Sequence, residues 1–352
     1  MNLAAALSPP LLTAELPGLG GRLKVELEDF EVEEVPAYEP SGSGEFLYLW
    51  LEKRDLGGEY FTRQLARRLD IGPGDVGMAG LKDRRAVTRQ WVSVPPTAEA
   101  HLARLDGDGI KLLQVSRHGN KLRAGHLRGN RFRILLRDAV VDETILPSLL
   151  ERLARHGMLN YYGPQRFGRG AETLELGLAL LRGERPGKVS RSGFLKRLAL
   201  SAVQSALFNV YLGRRLAAGL TRRVLQGDVM VKLPFGGMFV AEDVEAEQRR
   251  FDARETMTAG PIFGRKTFAA AGAAAQRETE TLAEMGLSAG SFNGFGKLLQ
   301  GTRRHNLVYI PDLVATPEPA GLRFCFTLPA GCYATTLLRE IMKTDVAVED
   351  AE

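Results

Sequence analysis

The strongest constraint on the fold is a change of hydrophobic period along the chain. Between residues 22 and 138, "RLKVELEDFEVEEVP", "GEFLYLWLEKR", "QWVSVP", "IKLLQVSRH" and "NRFRILLRD" read as strands. The first alternates apolar and polar residues. In the last, Phe132, Ile134 and Leu136 face one way and Arg131, Arg133 and Leu135 the other. One short amphipathic helix falls among them, with Phe61, Leu65 and Leu69 four residues apart and Gly72-Pro73 as its stop. After about residue 143 the apolar spacing becomes three to four, in "TILPSLLERLARHG", "TLELGLALLRG" and "FLKRLALSAVQSALFNVYLGRRLAAG". Strand patterns return in "HNLVYIPDLVA" and "GLRFCFTLPA", and the last pattern, "YATTLLREIMK", is helical. Strands, then helices, then strands predict an α+β domain interrupted by a mostly helical insertion.

At 352 residues the chain has room for this arrangement. Its start lacks a basic segment, and Pro9 and Pro10 break the apolar run there. No stretch approaches the ~20 apolar residues of a membrane span, so a cytoplasmic setting is expected. The start and the acidic "VAVEDAE" end are expected to be mobile. The five histidines are scattered, and Cys325 and Cys332 form no CxxC site. The two cysteines read as buried small residues rather than a disulfide. No metal is expected, which leaves the chemistry to carboxylates.

The net charge of +5 is unevenly spread. Eight Lys/Arg and no acid lie between Lys111 and Arg137, and twelve Lys/Arg against three Glu lie between Asn160 and Arg223. The compensating acids gather in "ELEDFEVEE" and "VAEDVEAE". Segregation of this kind predicts a basic face that attracts phosphate, although solvated helix faces would give the same pattern.

"GPGDVG" at 72–77 formally matches GxGxxG, but a helix precedes it and Pro73 fills a variable place. It is a helix stop and loop, not a dinucleotide fingerprint. Two other stretches are denser in chemistry. "AGLKDRRAVTRQW" sets one acid, Asp83, among Lys82, Arg84, Arg85 and Arg89. "NYYGPQRFGRG" places three aromatics and two Arg around three Gly, as a stacking and phosphate-holding loop or a packed core turn would. "GNRFRI" puts Phe132 on a strand just after Asn130, and "FTLPAG" puts Phe326 near a strand end, where a cleft commonly opens.

In this order, "GLKDRRAVTRQW", "GNRFRILLR", "NYYGPQRFG" and "LPAGCYATTLLRE" resemble the TruD family of tRNA pseudouridine synthases, over nearly the whole chain. The resemblance implies a pseudouridine synthase catalytic domain with a mixed, mainly antiparallel sheet, from residues 1–157 and 311–352. An α-rich, family-specific insertion is implied at 158–310. The implied activity is isomerisation of uridine 13 of tRNA to pseudouridine, without cofactor or metal, by a monomer whose partner is tRNA. Matched residue by residue, Asp83 falls on the family's catalytic aspartate, and Phe30, Asn130 and Phe326 on its substrate-contacting positions. Cys332 stands where the "GSYAT" form has Ser.

The residues add to this implied set. A carboxylate can act as nucleophile or stabilise a sugar cation, and nearby cations favour its charged form. Lys82, an arginine of its own stretch, and Arg166 are the candidate partners of Asp83, and Lys82 and Arg166 are candidate substrate contacts. Phe30, Phe132 and Phe326 are candidates to stack on a flipped base, and Asn130 to bond a uracil edge or a ribose hydroxyl. Two competing readings remain. One is an RNA-binding protein without a reaction, and the other a nucleotide-using metabolic enzyme suggested by "GPGDVG" alone.

Overall fold

The computed structural model describes residues 3–184, 193–234 and 236–344. The acidic end and residues 185–192 of the second basic stretch lie outside the described residues. Within them the strands, in chain order, are β1 (Phe30–Pro36), β2 (Phe46–Arg54), β3 (Gly77–Met78), β4 (Val87–Val94), β5 (Ile110–His118), β6 (Leu127–Arg137) and β7 (Met158–Leu159). They continue as β8 (Val229–Lys232), β9 (Met238–Val240), β10 (Thr256–Ile262), β11 (Thr302–His305), β12 (Leu307–Val308), β13 (Val314–Glu318) and β14 (Gly321–Pro329). The helices are α1 (Leu3–Leu7), α2 (Gly58–Leu69), α3 (Ile145–His156), α4 (Glu172–Leu181), α5 (Gly193–Ala217), α6 (Val244–Asp252), α7 (Gly272–Glu284) and α8 (Ala334–Met342).

The chain divides into two compact units. The sheet unit is Gly18–Ala154 with Ile310–Ala334. Its sheet runs β13-β14-β6-β1-β4-β2-β5, with β3 added on β4. Only β1 and β4 pair in parallel; the other pairs in this sheet are antiparallel. The fold is thus α+β with a mixed sheet, as the period change predicts. Phe61, Leu65 and Leu69 of α2 pack on Leu47, Leu49 and Leu51 of β2 and Val92 and Val94 of β4, all fully buried. Asp70, in the left-handed conformation, caps α2, and Pro73–Asp75 forms a short turn where "GPGDVG" reads as a stop.

The helical unit is Met1–Pro17, Arg155–Tyr309 and Thr335–Ala351. Leu174 and Leu178 of α4 pack on Leu200, Val203 and Leu207 of α5. Gly177 lets the two helices touch, since a Cβ there would lie 2.2 Å from the Ala199 carbonyl. A four-stranded sheet, β11-β10-β8-β9, and the β7–β12 ribbon complete this unit.

Two expectations are corrected. Residues 3–17 are packed, not mobile: Ala6 and Thr13 are buried, and the Glu340 carboxylate accepts the Leu12 and Thr13 N–H groups and the Thr13 hydroxyl. These contacts group residues 3–17 and 335–344 with the helical unit. Cys325 is exposed, because Phe324, Phe326 and Leu328 take the inward positions of β14; Cys332 is half-buried, and both are free thiols.

Candidate active site

The parallel pairing of β1 with β4 brings the site together. Parallel neighbours start at the same end of a sheet, so the segments entering β1 and β4 emerge side by side. Lys24 lies six residues before β1, and Asp83 four before β4. Lys24 Nζ sits 3.3 Å from Asp83 Oδ1 and 4.4 Å from the centre of the Phe30 ring. The Lys24 backbone is left-handed, φ +55°, a conformation that costs a non-glycine residue energy. Asp83 therefore pairs with Lys24, a partner outside the candidates that the sequence offers.

The inward faces of five strands line up in one row beneath this pair. Lys53 of β2 faces Thr88 of β4, Thr88 faces Val32 of β1, Val32 faces Phe132 of β6, and Phe132 faces Phe326 of β14. One rung further along, Asn130 lies between Glu34 and Leu328. Phe132 stacks on Phe326 with centroids 5.2 Å apart, and Phe30 meets Phe132 edge-on at 6.2 Å. Phe30 and Phe326 are about 1% exposed and Phe132 6%. The three rings pack into one apolar wall, in which Phe132 keeps the most exposure. Gly129 lets β6 approach β14 here, since a Cβ would lie 2.4 Å from the Leu328 carbonyl. Asn130 Oδ1 is buried with no hydrogen-bond partner among the described residues.

Two buried lysines reach the loop that carries Asp83. Lys82 Nζ bonds Glu34 Oε2 at 2.8 Å, with both side chains almost fully buried. Burial pushes the Glu34 carboxyl up, and the Lys82 charge opposes that shift. Lys82 is therefore an internal anchor, and its ammonium does not face a phosphate. Lys53 Nζ donates to the Leu56 carbonyl at 2.6 Å and to the Asp83 carbonyl at 2.7 Å. Burial pulls the Lys53 ammonium down to about 8, against the attraction of Asp83. Lys24, Lys53 and Glu34 escape the sequence reading. Their one signal is positional: Lys53 and Glu34 close inward-facing alternations, Leu47-Leu49-Leu51-Lys53 and Phe30-Val32-Glu34.

The outer face corrects the picture of a free basic surface. Arg131 bonds Glu33 at 2.9 Å, Arg133 lies 3.7 Å from Glu31, and Arg137 holds Asp29 at 2.8 Å. Arg89 joins Glu31 and Glu52. The acids of "ELEDFEVEE", distant in sequence, pair with the basic stretch because β1 lies antiparallel beside β6. Arg123 and Arg128 stay exposed. Arg166, in the helical unit, bonds Ser201 and Ser205 of α5 and lies 5.8 Å from the Tyr162 ring. No helix among the described residues is long and apolar enough to cross a membrane.

The fold matches a solved structure across both units. A Methanosarcina mazei protein described as a tRNA pseudouridine synthase D superposes with a TM-score of 0.77 at 26% identity, over 97% of this chain and 98% of that one. The class so defined is the pseudouridine synthase, an isomerase. The family model for tRNA pseudouridine synthase D matches residues 7–192 and 192–341, and the chain belongs to that TruD family. It is 43% identical to the tRNA pseudouridine synthase D of Anaeromyxobacter dehalogenans, over 97% of this chain and 99% of the relative. Identity to that of Thermus thermophilus is also 43%, over 97% of each chain.

Proposed function

We propose that this chain isomerises uridine 13 of tRNA to pseudouridine, with Asp83 as the nucleophile. The observation that carries the reading is the Asp83–Lys24 pair, which presents a partly exposed carboxylate beside the phenylalanine wall. Detaching uracil, turning it and rejoining it through C5 needs one group that holds the sugar while the base is free, and an ionised carboxylate does this. Extracting the base from the RNA stack costs a few kcal/mol. The wall of Phe30, Phe132 and Phe326 would receive the base against an apolar surface, and Asn130 Oδ1 would bond a uracil N–H or a ribose hydroxyl.

In this reading the sheet unit is the catalytic body and residues 158–310 are the insertion, from which Arg166 contacts the tRNA backbone. The enzyme acts in the cytoplasm as a monomer, without cofactor. The test is tritium release from tRNA labelled at uridine C5, beside a binding titration. Asp83→Asn is nearly isosteric but a much poorer nucleophile. It should abolish release, with tRNA affinity kept or improved by removal of a negative charge. Wild-type turnover by Asp83→Asn would make Asp83 only a loop charge, whereas no release by the wild type would leave a tRNA-binding protein.

A further inference from the structure

Residues 79–86, which carry Asp83, have no regular secondary structure. The loop's ends are tied by main-chain bonds, Gly125 N–H to the Ala79 carbonyl and Asp55 N–H to the Ala86 carbonyl. Its middle is tied by the two buried lysines, on consecutive residues. Lys82 plugs its own side chain into Glu34 on β1, and the Asp83 carbonyl receives Lys53 from β2. With the Lys82 side chain held by Glu34 and the Asp83 carbonyl by Lys53, the Asp83 carboxylate meets Lys24.

Lys53 is an unfavourable way to satisfy two carbonyls. A buried ammonium loses its hydration, and its hydrogen bonds here go to the Leu56 and Asp83 carbonyls rather than to a carboxylate. What it adds over a bound water is a covalent stem rooted in a central strand, so the loop inherits the position of the sheet. We propose that Lys53 is a positioning residue for Asp83: by holding the Asp83 carbonyl to the end of β2, it sets the direction in which the carboxylate leaves the loop. This deepens the proposed function and rests on its assignment of Asp83 as the reacting group.

The geometry also makes positioning sensitive to pH. The charges around the Lys53 amine are Asp83 and Asp55, which favour its protonated form, and Lys82 and Lys24, which oppose it. Burial outweighs the two acids and brings the amine to about 8. Above that pH the grip on the two carbonyls loses its charge assistance.

The experiment uses the full chain, unmodified tRNA and tritium release, with Lys53→Met, Lys53→Arg and Asp83→Asn. Met keeps the apolar stem and removes the donors. Lys53→Met should lose kcat on the order of a hundredfold, the scale of a ~1 Å misplacement, while tRNA Kd stays within about twofold. Wild-type kcat should fall as pH rises through about 8. That limb should vanish in Lys53→Arg, whose guanidinium stays charged. A wild-type kcat in Lys53→Met overturns the proposal, and so does a loss of kcat matched by equal losses of affinity and folded fraction. If Lys53→Met does not fold, the pH profiles decide: no alkaline limb in wild type, or the same limb in Lys53→Arg, overturns it. An active Asp83→Asn overturns the proposed function itself, whatever Lys53 does.

Discussion

On the outer face of β1, β4 and β6, Glu31, Glu33, Arg89, Arg131 and Arg133 form ion pairs whose side chains are 21% to 64% exposed. On the inner face Glu34 of β1 pairs with Lys82 at 0% and 2% exposure, and Lys53 of β2 is buried with its charge on two carbonyls. Both faces combine glutamates with cations, arginines outside and lysines inside. Exposed pairs of the first kind contribute about 0–1 kcal/mol each and keep a sheet face in water. Buried charges of the second kind cost more to desolvate than they return, and well-packed apolar residues would serve stability better. A sheet that places its ladder outside and its destabilising charges under one loop is organised around that loop.

The sharpest way to break this contrast is to remove one inner partner. Glu34→Ala strands Lys82 as an uncompensated buried charge and should destabilise the protein by about 3–5 kcal/mol, read by denaturant unfolding. Replacing both, Glu34→Leu with Lys82→Met, should recover most of that stability without recovering turnover. Recovery of turnover as well would show that the anchor matters only to the fold.

The next effect is a difference in pH dependence. The Lys53 amine titrates at about 8 in the folded chain against an ordinary lysine value of 10.5, so between these values the unfolded chain binds more protons. Stability from this group therefore rises with pH across that window, the reverse of a lysine that gains a carboxylate partner. Relative to Lys53→Met, the wild type should gain about 3 kcal/mol between pH 8 and 10.5, while its kcat falls. A parallel stability profile for the two proteins would mean that Lys53 is not buried as a cation.

The smallest effects belong to the outer face. Arg131→Ala should change stability by less than about 1 kcal/mol, since its pair with Glu33 is exposed. It should also barely change the salt dependence of tRNA affinity. Arg123→Ala or Arg128→Ala, at exposed cations, should lower the slope by ~0.7–0.9 for each phosphate no longer neutralised. Equal slopes for all three would put the ladder itself against RNA.

The architecture and the Asp83 loop were legible because period and motif are local. The inner charges were not. Lys53 and Glu34 lie inside the stretches that read as strands, but alternation assigns a charged residue to the solvent side, so neither reads as an inward member. Lys24 falls in the first part of "RLKVELEDFEVEEVP", which the alternation reads as strand but which precedes β1, and its meeting with Asp83 follows from one parallel pairing between strands 57 residues apart at their starts, Phe30 and Val87. The charge ladder failed for a related reason. Runs of one sign in the sequence predict a basic face only until antiparallel pairing sets an acidic strand beside a basic one.

The place of β14 in the sheet has a consequence for how the chain is made. β6 is flanked by β1 on one side and β14 on the other, yet β14 is synthesised after the whole of the helical unit's central segment. At ~5–20 residues per second, the roughly 180 residues between Arg137 and Gly321 take roughly 10–40 s to emerge from a ribosome. For that interval a nascent chain can already join Lys24 to Asp83, while the β6 edge has no neighbour and Phe132 lacks the ring that will stack on it. An open strand edge is a template for mispairing, and the exposed Arg128 on β6 supplies like-charge repulsion that keeps two such unfinished chains apart. A cation that stays exposed on the finished sheet thus guards its open edge during synthesis.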